Sequence, residues 1–218
     1  EPSLESRKRQ RACYLANVTM IDKKVGDILA ALEAKGLLEN SIVMFTSDHG
    51  DTLGDHGQSQ KWTMYEQVVR VPLVVWGPGR IPAATRVDQL VQHMDIGPTI
   101  LEWAGIEVPA YMEAESLHKY FSGEKADGRP YVFTELGPDN VLEKIKFMTM
   151  IRSRAWKLVH FLGSEEGQLF DLRDDPHEER NLWLDPAVAS EKQSLQDEIF
   201  RWRMESQIRS RDWMADFR

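Results

Sequence analysis

The sequence is poor in cysteine. Cys13 stands alone, so no internal disulfide can form, and the thiol count leaves the redox compartment unread. Apolar runs are short throughout, and none approaches the roughly 20 residues that a membrane-spanning helix needs. The opening residues, Glu1-Pro2-Ser3-Leu4-Glu5-Ser6-Arg7-Lys8, contain neither a starting Met nor an apolar signal-peptide core. Such a start, leading directly into a charged helix, is expected of a piece of a longer chain. It carries no address, so localisation stays open. Positive charge is also short: 27 Lys and Arg against 35 Asp and Glu give a net charge of −8. That balance argues against general binding to nucleic acid or to an anionic membrane. The one basic cluster, Arg7-Lys8-Arg9 with Arg11, is expected at a solvated helix start. Internal repeats and low-complexity segments are absent.

What remains is an ordinary globular composition. Hydrophobic residues make up 42% and charged residues 28% of 218, and seven tryptophans with eight phenylalanines can furnish a core. Residues 12–35 read as an amphipathic helix. Leu15, Val18, Ile21, Val25, Ile28, Leu29 and Leu32 recur at intervals of three and four, and Gly36 follows as a stop. Ser41–Thr46 is a continuous apolar run, the pattern of a strand buried on both faces of a parallel sheet. Arg70–Trp76 is a second such strand, with Pro72 near its start. A helix capped by Asp95, with Pro98 in its first turn, is expected to end at Gly105.

The last third changes character. Lys146–Ile151, Ala155–Phe161 and Gly167–Leu172 read as a meander of short strands, and Asp174-Asp175-Pro176 as a turn. Asp185-Pro186 then opens a final helix with Leu195, Ile199 and Trp202 on one face. The expected class is α/β: a mixed or parallel sheet sandwiched by helices, then a small antiparallel sheet with a final helix. The division is expected between residues 136 and 137, with Ser122–Pro130 and Gly137–Asn140 as the candidate linkers.

In parallel α/β sheets, ligands bind beyond the carboxyl ends of the strands. Asp48, His49, Gly50 and Asp51 follow directly on the strand 41–46. A carboxylate and an imidazole side by side can both reach a divalent cation if the chain turns sharply, and Gly50 allows that. Two ligands are not a full shell, since magnesium, manganese or calcium takes about six donors. Taken by spacing alone, a polar loop with a capping Asp48 explains the same residues.

The wider pattern decides between these readings. Asp48-His49-Gly50-Asp51 leads to Gly54-Asp55-His56-Gly57, Lys61, Met64-Tyr65-Glu66 and Val69-Arg70-Val71-Pro72. Upstream stand Tyr14-Leu15-Ala16, Ile21-Asp22, Val25-Gly26 and Gly36-Leu37. Downstream come Asp95-Ile96-Gly97-Pro98-Thr99-Ile100-Leu101, Ala104-Gly105, Ile151-Arg152, Lys157-Leu158, Leu169-Phe170-Asp171-Leu172, Asp175-Pro176 and Asn181-Leu182. In this order, and over almost the whole chain, the sequence resembles the sulfatase family of the alkaline-phosphatase-like superfamily.

The resemblance implies roles. Asp48 and His49 match the later pair of ligands to one divalent cation (Ca, Mg or Mn), and Lys61 matches the lysine that contacts the sulfuryl oxygens. Many members carry Asn where His49 stands, and the Asp-His form is more like the branch that contains phosphonate and phosphate ester hydrolases. His56 is a weaker candidate for lining the substrate pocket. Glu66 and Arg70, one helical turn apart, read as a structural pair. Trp62 reads as interior by default, and His93, His118, His160 and His177 as structural or exposed.

Several family parts are not in this sequence. Sulfatases use a formylglycine nucleophile made within a Cys/Ser-x-Pro-x-Arg motif, and neither Cys13 nor Ser3 stands in one. The early aspartate ligands, and the histidine and lysine that flank the nucleophile, are missing too. The chain therefore resembles the C-terminal portion of a sulfatase, with the N-terminal part of the same enzyme as its expected partner and oligomer formation possible. Alone it is expected to be inactive. A phosphonate or phosphate mono- or diester hydrolase of the same superfamily is one alternative, and a non-catalytic sulfatase-like fragment another. The substrate, a small-molecule or carbohydrate sulfate ester, is not readable; aryl, choline, carbohydrate and glycosaminoglycan sulfates all remain open.

Overall fold

The computed structural model describes residues 3–121, 127–138 and 145–215, with side chains as far as residue 209. The chain divides into two compact units, Glu1–Thr85 and Arg86–Arg218. The division expected between 136 and 137 falls inside the second unit. Of the expected linkers, residues 122–126 and 139–140 lie outside the described residues.

In the first unit, helix α1 spans Leu4–Ala34, eight residues longer at its start than periodicity indicates. The Ser3 hydroxyl accepts from the backbone N–H of Ser6 and caps it, which satisfies one of the orphan donors of the first turn. Gly36, at φ 66°, ends it in the left-handed conformation that glycine adopts without steric cost. No described residue of α1 is buried; Leu15, Val18, Ile21 and Ile28 stand exposed. The apolar stripe thus exists as read, but nothing in this unit covers it.

Strand β1 (Val43–Thr46) pairs with β2 (Leu73–Trp76), with Val43 opposite Trp76 and Thr46 opposite Leu73. The pairing is antiparallel, and Phe45, Val74 and Trp76 are exposed. This corrects the expectation of a parallel partner and of burial on both faces. An apolar run records how much cover a strand is built for; it carries no information on the direction of its neighbour. Between the two strands, the one-turn helix α2 (Glu66–Val69) buries Val68.

The second unit holds the main core. A 3-10 turn, His93–Asp95, runs into helix α3 (Ile96–Trp103). Asp95 does not cap α3 with its side chain, as expected from sequence. Fully buried, its carboxylate accepts from the N–H groups of Gln92 and Glu115 and from the guanidinium of Arg129. Those three donors offset the cost of removing the charge from water. Helix α3 is followed by Gly105 at φ 71°, as anticipated.

Strands β3 (Val132–Leu136), β4 (Met148–Arg152), β5 (Trp156–Phe161) and β6 (Gly167–Asp171) form one antiparallel sheet in chain order. Three of the four were legible in the sequence; β3 was not. Helix α4 (Ala189–Ala215) lays Leu195 and Ile199 against Ile151, Leu158, Leu169, Leu182 and Trp183. Full burial of side chains such as Leu158 and Ile151 stabilises by about 2–3 kcal/mol each. Asn181 ties the following segment to the sheet: its carbonyl accepts from Leu169 and Trp183 N–H, and its amide donates to the Gly167 carbonyl. The mixed α/β class, with a small C-terminal antiparallel sheet and a final helix, is as expected. No helix among the described residues is long and apolar enough to cross a membrane.

Candidate functional site

β1 delivers Ser47, Asp48 and His49 at its carboxyl end, where backbone contacts fix the chain. The Gly50 N–H donates to the Val68 carbonyl at 2.8 Å. A Cβ at position 50 would lie 1.9 Å from the Gln67 carbonyl oxygen. Only glycine lets the two backbones approach so closely. The Ser47 hydroxyl donates to the His49 carbonyl at 2.8 Å, closing the turn from the other side.

Within that turn the two candidate ligands converge. Asp48 Oδ2 lies 3.4 Å from His49 Nε2, and the Asp48 side chain is 82% exposed. His49 Nδ1 sits 2.8 Å from the Gly50 carbonyl oxygen. A carbonyl only accepts, so Nδ1 carries a proton toward Gly50 and Nε2 is the ring nitrogen left facing the carboxylate. Carboxylate oxygen and imidazole nitrogen are both donors that a divalent cation accepts. The separation is close to the edge of an octahedron with metal–ligand bonds of roughly 2.1–2.4 Å, which is ~3.0–3.4 Å. The donor set and its geometry therefore fit one divalent ion. Among the described residues no three metal-donor groups come together.

Asp48 is held ionised. The His49 backbone N–H donates to Oδ1 at 3.0 Å and is the largest of the influences that keep its carboxyl below the usual range. The charges of His49 and Lys61 act in the same direction. Lys61 is exposed, with its ammonium 5.7 Å from the centre of the Trp62 ring, and Trp62 Nε1 donates to the Gln60 side chain. The structure thus brings Asp48 and His49 into direct contact and Lys61 within electrostatic reach of Asp48. The half-buried ring of His56 stacks on Tyr65 at 3.7 Å, and its Nε2 lies 3.4 Å from the Gln67 side-chain amide. His118 accepts from Trp103 Nε1, in keeping with its structural reading.

Two contributors were missed in the sequence. Arg7 and Arg11 do not simply face solvent. Arg11 Nε donates to the Leu53 carbonyl at 3.2 Å and its guanidinium pairs with Asp55, while the Arg7 stem covers Gly54. Their spacing of four places them on one helix face, but nothing local says that a loop more than forty residues away lies against it.

The sulfatase family profile matches residues 1–106, and the profile described as N-sulphoglucosamine sulphohydrolase, C-terminal, matches residues 54–205. The chain belongs to the sulfatase family. It is 33% identical over 186 residues to the N-acetylglucosamine-6-O-sulfatase of Bacteroides thetaiotaomicron, an alignment that takes in 84% of this chain and 33% of that protein. Among solved structures, the phosphonate monoester hydrolase from Silicibacter pomeroyi superposes with a TM-score of 0.87 at 30% identity, over 94% of this chain and 43% of that one. A second structure, described in complex with its substrate D-glucosamine-2-N,6-O-disulfate, gives 0.80 at 32% identity over 91% and 40%. This sulfatase-family chain spans about a third of the length of the first curated relative it matches.

Proposed function

We propose that this chain forms one wall of the active centre of a sulfuric ester hydrolase, with residues 1–136 completing its catalytic domain and 137–218 forming a small C-terminal subdomain. Asp48 Oδ2 and His49 Nε2 are the two ligands it offers to a divalent cation: calcium, magnesium or manganese. The observation that carries the reading is their 3.4 Å approach with the imidazole tautomer fixed by Gly50. The ion, with a formylglycine held elsewhere in the complete protein, supplies charge neutralisation and a nucleophile for attack at sulfur.

The residues of this chain have separable tasks. The His49 N–H keeps Asp48 ionised and oriented. The Nδ1–Gly50 bond keeps the other ring nitrogen free to bind. Lys61 sets a positive charge where the transferring tetrahedral anion gathers negative charge, an interaction worth more in the transition state than in the ground state. His56, with its ring fixed on Tyr65, borders the substrate pocket in this reading. The substrate class is a small-molecule or carbohydrate sulfate ester, in line with relatives named for such substrates.

A second reading has its own support. His49, where asparagine is common in the family, and the likeness to a phosphonate monoester hydrolase favour a phosphonate or phosphate ester. The complete protein, assayed on matched sulfate and phosphonate esters as wild type and Lys61→Ala, separates the two. The sulfatase reading expects sulfate turnover that drops by about a hundredfold in the variant. A Lys61→Ala variant with unaltered sulfate turnover counts against it. The 218-residue chain alone is expected to show no turnover.

A further inference from the structure

Lys61 is exposed and belongs to no helix or strand, so something must hold it where Asp48 needs it. The segment before it is short and unusually bent. Leu53 (φ 48°), His56 (φ 53°) and Gln60 (φ 71°) are all left-handed, as are Gly54 (φ 92°) and Gly57 (φ 70°). For Leu, His and Gln this conformation is disfavoured, and it persists only where the surroundings over-determine it. Part of the restraint is local. Asp51 Oδ1 accepts from the N–H groups of Leu53 and Gln60, at 2.8 and 3.1 Å, and Thr52 N–H donates to the Gln60 carbonyl at 3.1 Å. Gln60, the residue directly before Lys61, is thereby held on both its amide and its carbonyl.

The other part comes from α1. Arg11 reaches the outer end of the loop with two bonds, from Nε to the Leu53 carbonyl and from Nη2 to Asp55 Oδ1. Arg7, one turn earlier, lays its stem along Gly54 so closely that a Cβ there would come 2.7 Å from Arg7 Cδ. The planar fork of Arg11 fixes a direction as well as a distance, which a lysine at this position would not do.

We propose that Arg11, backed by Arg7, is a positioning residue that clamps the 51–60 loop and so fixes the backbone from which Lys61 reaches toward Asp48; this rests on the reading of Lys61 given above. Arg11 touches neither metal nor ester and acts through the loop. Its ion pair with Asp55 is about half exposed on both sides, so it adds little to overall stability. Its effect is on placement, and a misplacement of about an ångström costs up to roughly a hundredfold in rate.

The test uses the complete protein and two readouts. Amide hydrogen exchange in wild type and Arg11→Met reads the clamp: the amides of Leu53 and Gln60 are expected to exchange at least about tenfold faster in the variant, with those of α3 unchanged. Unchanged loop exchange overturns the clamp. Kinetics read its purpose. Arg11→Met is expected to lower kcat by about tenfold to a hundredfold with KM within about threefold, and to add less than about twofold in a Lys61→Ala background. A full additional loss in that background shows that Arg11 does not act through Lys61, and overturns the positioning role. A wild type inactive on sulfate and phosphonate esters alike sinks the functional reading instead, and the exchange rates then decide the clamp alone.

Discussion

Lys157 and Glu178 are both wholly buried, and Lys157 Nζ approaches Glu178 Oε1 at 2.6 Å. At that distance the two opposite charges form a buried ion pair. Lys157 sits in β5, next to Leu158 at the centre of the core, and Glu178 lies in the turn beyond β6 at φ 59°. Lys157→Met keeps most of the volume and leaves a buried carboxylate without its counter-charge. Breaking such a pair from one side costs about 3–5 kcal/mol. For a unit of this size each kcal/mol is worth roughly 3–4 °C, so Tm is expected to fall by about 10–20 °C. The double variant Lys157→Met, Glu178→Met removes both charges and is expected to recover most of the loss, because an apolar replacement of a buried pair is near neutral. Thermal unfolding of wild type, both single variants and the double variant forms the cycle. Additive losses, or a Lys157→Met variant within about 1 kcal/mol of wild type, would refute the argument.

Other outcomes follow from the site and the sheet. Gly50→Ala places a methyl 1.9 Å from a backbone carbonyl, so divalent-cation affinity is expected to drop by more than about tenfold; calorimetric titration of the complete protein with manganese checks it. Asp48→Ala is expected to lower the same affinity by a similar factor or more, and an unchanged affinity would remove Asp48 from the ligand set. The Arg173 guanidinium holds the Asp171 carboxyl below its ordinary value. With the folded-state pKa depressed, that contribution is present above the unfolded value and is lost as pH falls through the folded one. Arg173→Gln is therefore expected to begin acid unfolding at higher pH than wild type while leaving stability near neutral pH less affected than a core substitution would; a coincident acid limb would count against it.

How much could be read beforehand varied with the range of the interaction. The meander β4–β6 was legible because alternation and turn residues are local. So was the start of the final region at Asp185, whose side chain accepts from the Ala187 N–H as an N-terminal cap should. β3 was hidden because Val132–Leu136 follows Pro130 in a stretch too short to show a period, and only its pairing with β4 makes it a strand. The β1–β2 direction was misread because apolarity does not encode orientation. At the site, Asp48 and His49 were legible from their place after a strand. Which ring nitrogen faces the carboxylate was not, since the Nδ1–Gly50 bond depends on the turn geometry. The Arg11 contact with Leu53 and Asp55 was out of reach for the same reason: it joins segments far apart in sequence.

The uncovered stripe of α1 has a consequence for the life of the protein in a cell. Leu15, Val18, Ile21 and Ile28 on α1, and Phe45, Val74 and Trp76 on a two-stranded ribbon, are apolar side chains open to solvent, and the ribbon leaves its strand edges unpaired among the described residues. Chaperones and proteases sort polypeptides by such surfaces. A polar substitution on that stripe, such as Ile21→Lys, is therefore expected to leave the fold of this unit intact while lowering its tendency to aggregate.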